Sequence, residues 1–114
     1  MNIKEILNKI NNIPNDTIVK VNNKNYITGN FGSYRGNYKE LYLEDDTENN
    51  NSNIGLLKST LNNALNKGSM SGYKGGLYKI NYDTSVVIGF REWAYNMIDI
   101  EINNICNIIT SENI

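Results

Sequence analysis

The 114-residue sequence has no histidine, one cysteine and one proline. Without histidine there is no Ser-His-Asp or Cys-His catalysis, no histidine metal site and no histidine pH switch. The single thiol, Cys106, excludes an internal disulfide, a cysteine-cluster zinc site and an iron–sulfur cluster. No stretch approaches the ~20 apolar residues that cross a bilayer, so no membrane partner is expected. Met1 to Asn12 is polar and charged throughout and lacks the apolar run of a secretion signal. A lone thiol fits a reducing cytoplasm. Net charge is scarce too: Lys+Arg 11 against Asp+Glu 12 leaves -1. That argues against a general binder of duplex nucleic acid and against an acidic DNA mimic. The length suits one domain, residues 1–114, with a single modest core.

What is abundant is asparagine, about a fifth of the chain and several times ordinary usage. With the excess of Ile, Lys and Tyr it fits a genome rich in A and T, and as composition it carries no mechanism.

The apolar pattern gives the elements. Ile3, Ile6, Leu7, Ile10 and Ile13 lie on one face of a helix over residues 1–13, which Pro14 ends. Thr17 to Val21 and Tyr26 to Thr28 predict a hairpin around the Asn22–Asn25 turn. Tyr38 to Glu44 alternates as a strand with Leu41 and Leu43 inward. Asp45 to Asn53 has no apolar residue and reads as a solvated loop. Ser52 or Asn53 caps a second helix with Ile54, Leu57, Leu61, Ala64 and Leu65 inward, and Gly68 stops it. Leu77 to Asn81, Ser85 to Phe90 and Met97 to Ile102 read as strands. The tail, 103–114, is apolar without a period, and a short helix, a swapped arm or a loose end all fit it. Cys106, among Ile105, Ile108 and Ile109, reads as a buried structural thiol. The sum is an α+β fold, mainly antiparallel, with about two helices packed on the sheet.

Two glycine-rich segments stand out. Gly29 to Gly36 is expected to be a loop. At its end, Ser33-Tyr34-Arg35-Gly36-Asn37-Tyr38 sets a guanidinium between two aromatic rings. Arg presents a planar fork to phosphate, Tyr rings stack on flat ligands, and Gly36 lets a ligand reach the backbone. The plainer alternative is an Arg that ties down its own loop. The second segment, Gly72-Tyr73-Lys74-Gly75-Gly76, repeats the chemistry. Its glycine amides can form an anion nest and Lys74 adds a point charge. A helix stop and a turn explain those glycines equally well. Lys74 precedes the Gly pair and the segment leads into a strand, so it is neither a P-loop nor a dinucleotide fingerprint. If the strands that carry the two segments are neighbours, the segments converge on one anion-binding, ring-stacking site. Arg91 and Trp93 offer a second fork and a large ring, or simply a surface hairpin. Glu40, Glu44, Asp45 and Asp46 lie nearest and read as a solvated strand face. No catalytic residue, metal ligand or cofactor is indicated.

The order Ser33-Tyr34-Arg35-Gly36-x-Tyr38-x-x-Leu41-x-Leu43, Gly72-Tyr73-Lys74-Gly75-Gly76-x-Tyr78, Thr84-x-Val86 resembles a family of short phage-encoded proteins. Its pattern reads S-Y-R-G-x-Y-x-x-L-A-L, T-G-Y-K-G-G-x-Y-x-M, T-P-V-W-V. The likeness covers roughly Phe31 to Ile88. Ile80, Ser85 and Val87 depart from it, standing where the family has Met, Pro and Trp. The resemblance implies a phage protein acting in the cytoplasm of a bacterial host, and an anti-defence role of the sponge type. The expected partner is a phosphate-bearing nucleotide signal, of the ADP-ribose type first and a cyclic oligonucleotide second, bound without cleavage by a homo-oligomer. The alternative is an inhibitor that blocks a defence effector such as a CRISPR complex through the acidic Glu44–Glu48 stretch and exposed tyrosines. Metal-dependent cleavage of the same signal is the weakest alternative.

Overall fold

The computed structural model describes residues 1–34, 37–71, 76–90 and 93–113. Helix α1 spans Ile3–Ile10 and buries Ile3, Ile6 and Ile10. Asn2 caps it in a reciprocal box with Glu5, which satisfies two of the unpaired amides of a helix start. The helix ends at Asn11, short of Ile13, which the periodicity had included. Helix α2 spans Ile54–Lys67 and buries Ile54, Leu57, Leu61 and Ala64. Of the two expected caps it is Asn53 that accepts from the Leu56 amide, at 2.8 Å. Gly68 closes the helix in the left-handed region at φ 76°, returning its amide to Ala64.

Eight strands follow the chain: β1 Val19–Val21, β2 Tyr26–Tyr34, β3 Asn37–Asp46, β4 Ser69–Ser71, β5 Leu77–Lys79, β6 Ser85–Phe90, β7 Trp93–Ile102 and β8 Cys106–Thr110. Six form one sheet in the order β1-β8-β7-β6-β3-β2, and β4 and β5 form a separate two-stranded hairpin. The fold is α+β with a mostly antiparallel sheet, but β3–β6 and β1–β8 run parallel. The first of these needs a crossover, supplied by α2 and the β4–β5 hairpin. The sheet curls. Its two end strands, β1 and β2, are joined by a turn across which Val21 and Asn25 exchange both backbone hydrogen bonds, at 2.8 and 3.0 Å. Asn22 and Asn23 turn that corner at φ 52° and 57°, a region asparagine tolerates better than most side chains. Helix α2 packs on β2 and β4, and α1 on α2.

Several expectations are corrected. Gly29 to Tyr34 is strand, not loop. Its glycines serve an irregular pairing with β3, where Gly29 sits at φ 90° and a Cβ there would lie 3.0 Å from Leu56 Cδ1. Asp45 is not solvated; it is the penultimate residue of β3 at 7% exposure, and Ser52 is buried too. The Ser52 hydroxyl donates to the Val19 carbonyl at 2.7 Å and accepts from the Ile27 amide at 3.0 Å. The tail is neither helix nor arm. Residues 106–110 form strand β8 inside the sheet, and a 3-10 turn follows at Ser111–Asn113. Cys106, Asn107, Ile108 and Thr110 are all buried there, so the missing period is that of a strand covered on both faces. Cys106 is fully buried, and burial pushes its thiol pKa up to about 11.

Candidate functional site

The curled sheet has two ends, and the pairing register says what lies at each. At one end β2 and β3 close with Tyr34 opposite Asn37, after Ser33 opposite Leu41. The β4–β5 hairpin stands beside them, with Ser71 opposite Leu77. A Cβ on Gly32 would lie 3.9 Å from Met70 Cε. The Tyr78 hydroxyl donates to the Glu40 carbonyl at 2.8 Å. The strands that carry the two glycine-rich segments are therefore neighbours. Arg35, Gly36, Tyr73, Lys74 and Gly75 themselves lie outside the described residues, as do the side chains of Tyr34 and Tyr38. Ser33 and Gly76 are exposed there, and nothing lies within 4 Å of a Cβ built on Gly76.

Glu40, read from the sequence as part of a solvated strand face, stands out here. One of its carboxylate oxygens, Oε2, is buried and has no hydrogen-bond partner among the described residues. Buried acceptors are almost always paired, so an exception asks for a donor. The Tyr78 ring is close, and burial, then the Glu40 charge, raise the pKa of its hydroxyl. Alternation had placed Glu40 on a solvated face. Instead Glu40 is only half exposed, and its Oε2 is buried.

At the other end stand the last residues of β3, β6 and β8 and the first of β7. Gly89 pairs with Ala94 and Phe90 with Trp93, and Glu44 lies opposite Gly89. Trp93 is thus on the far side from Ser33. Asp45 lies four residues beyond Leu41 on β3, about 13 Å at ~3.3 Å per residue. Trp93 does not join the first site, and Arg91 lies outside the described residues. Trp93 is 72% exposed. It borders a cleft of about 250 Å³ with Lys24, Asn25, Asp45, Tyr95 and Glu112. Among the described residues no three His, Cys, Asp or Glu side chains cluster as metal ligands, and no helix is long and apolar enough to cross a membrane.

No family model, curated protein or solved structure matches the chain.

Proposed function

We propose that the chain is a binding protein that holds a nucleotide-derived signal, ADP-ribose type first and cyclic oligonucleotide second, without cleaving it. The site is the place where β2–β3 and β4–β5, the strands that carry the two glycine-rich segments, lie side by side. Arg35 and Lys74 take phosphate. Gly36, Gly75 and Gly76 offer backbone amides, and Tyr34, Tyr38 and Tyr73 stack on the base or bond the sugar. The observation that carries this reading is Glu40 Oε2, buried beside Tyr78 and unpaired among the described residues. A buried carboxylate oxygen repels phosphate but accepts well from a ribose hydroxyl, so a sugar-bearing ligand fits better than a bare anion. The chain has no histidine to drive hydrolysis. Its resemblance to phage proteins gives the setting: the cytoplasm of an infected bacterium, where a homo-oligomer withdraws a defence signal.

Calorimetry against ADP-ribose, its cyclic isomers and cyclic di- and trinucleotides tests it. One of them binds below ~100 μM, about -5.5 kcal/mol, and chromatography returns it intact. Arg35→Ala with Lys74→Ala abolishes binding and leaves the melting temperature nearly unchanged. No binding across the panel, or cleavage of the ligand, overturns the reading.

A second reading is direct blockade of a defence effector. It is favoured by Leu77, 75% exposed beside the second segment. A stoichiometric protein partner in pull-downs from infected cells supports it, whereas a nucleotide released by heat from the purified protein supports sequestration.

A further inference from the structure

The cleft at the opposite end has chemistry of its own. Asp45 forms part of its wall and is 7% exposed. Its carboxylate accepts one side-chain hydrogen bond, from Asn25 Nδ2 at 3.2 Å. Its own backbone amide adds a second bond; an ionised carboxylate has about four acceptor positions, so it retains capacity for a further donor. Glu112, on the exposed 3-10 turn, is a second carboxylate on the rim, and Lys24 is the only cation among the described lining residues. Burial, opposed by the Asn25 bond and reinforced by the Glu112 charge, keeps the Asp45 pKa above its ordinary value. The remaining wall is aromatic: Phe90, Trp93 and Tyr95. Trp93 in particular is held at the rim rather than in the core.

We propose that this cleft binds a guanidinium group, with Asp45 and Glu112 as its acceptors and the Trp93 ring as its stacking face. Acceptors and π-faces outnumber donors, which selects a cation. A guanidinium is flat, forked and weakly hydrated, so it pairs with carboxylates and stacks on an indole where an ammonium does neither as well. A phosphate is repelled by the two carboxylates. The volume, about 250 Å³, falls below the ~300–1,000 Å³ that a drug-sized ligand occupies, so a nucleotide is too large. The site is separate from the one proposed for the signal, and either proposal stands if the other fails.

The chain supplies its own reporter, because Trp93 is its single tryptophan. The probe is agmatine, followed by fluorescence on the full chain. A saturable change with a midpoint below ~1 mM is expected, with putrescine, its diamine counterpart, at least about tenfold weaker. Asp45→Asn weakens agmatine at least about tenfold, and Lys24→Gln, which removes a competing cation, strengthens it. If Asp45→Asn does not fold, Glu112→Gln on the exposed turn gives the same direction with a smaller loss. A capped Gly-Arg-Gly peptide separates the sources. Binding equal to agmatine assigns the site to an arginine of a protein partner, and binding of agmatine alone assigns it to a free small molecule. A linear response to about 10 mM agmatine, equal binding of putrescine, or indifference to both carboxylate variants overturns the proposal.

Discussion

The Tyr78 hydroxyl donates to the Glu40 carbonyl at 2.8 Å, across 38 residues of chain. It is a side-chain tie between the β4–β5 hairpin and the main sheet, and it holds together the strands that carry the two glycine-rich segments. Tyr78→Phe keeps the ring and deletes the tie. Urea unfolding is expected to show a loss of about 1 kcal/mol. Affinity for the nucleotide ligand falls with it, because the second segment is no longer held against β3. Unchanged affinity in a folded variant would detach the hairpin from the site.

Gly89 stands where no side chain fits. A Cβ there would land on the Trp93 carbonyl oxygen and 2.6 Å from the Ala94 Cα. Both obstacles are backbone of the paired strand, so neither can swing aside. The Tyr42 hydroxyl donates to the Gly89 carbonyl at 2.8 Å and fixes the same point from β3. Gly89→Ala is expected to cost roughly 3 kcal/mol or more, measured by urea midpoint. A loss below about 1 kcal/mol would mean that β6 and β7 approach less closely than described.

Helices were legible because their signals are local, whereas the hairpin expected from Thr17–Val21 and Tyr26–Thr28 reduces to the Val21–Asn25 bridge, because β1 pairs with β8 and β2 with β3. Asn53 and Gly68 bound α2 where capping chemistry puts them, and Leu41 and Leu43 face inward as alternation demands. What the sequence hid was non-local. The parallel pairings β3–β6 and β1–β8 join segments far apart in the chain and leave no spacing to read. Asp45 and Ser52 look like loop residues until the curled sheet encloses them. Asparagine shows the same limit. As composition it had no mechanism, yet Asn2 and Asn53 cap helices and Asn22 and Asn23 turn a left-handed corner. Asn107 accepts from the Asn23 amide at 2.7 Å, and Asn22 accepts from the Thr110 amide at 3.0 Å. At the site, the adjacency of the two segments was a condition that only topology could meet. Glu40 reads in the sequence as part of a solvated strand face, because alternation does not show that its Oε2 is buried or that Tyr78, 38 residues away, packs beside it.

Two aspartates give opposite pH signatures. Burial raises the Asp45 carboxyl above its ordinary value of 3.8 in the folded chain. The folded state then holds more protons than the unfolded one between those two values, so stability falls as pH rises through that window. Asp99 is lowered, chiefly by its bond from Lys9 Nζ at 2.9 Å and then by the Ile100 amide. Its contribution is present above 3.8 and is lost as pH falls through its folded-state value. Asp45→Asn is therefore expected to raise the melting temperature at about pH 7, by a few degrees at most, and to do little at about pH 3. Asp99→Asn lowers it slightly at about pH 7 and not at about pH 2. Scanning calorimetry across that range checks both, and an Asp45→Asn curve parallel to wild type would contradict the burial of its carboxyl.

Cys106 tests the placement of the last strand. It is fully buried on β8, which is hydrogen-bonded to β1 on one edge and β7 on the other. Its thiol titrates at about 11, against about 8.5 for a free cysteine. At about pH 8 that difference alone cuts the reactive thiolate by roughly two orders of magnitude, and exposure of the sulfur requires β8 to open. Reaction with a disulfide reagent is therefore expected to be at least ~100-fold slower in the native protein than in concentrated urea. Its rate should follow global stability, so Gly89→Ala speeds it. A loose or exchanged tail would give a thiol that reacts at once in native buffer and at a rate independent of Gly89.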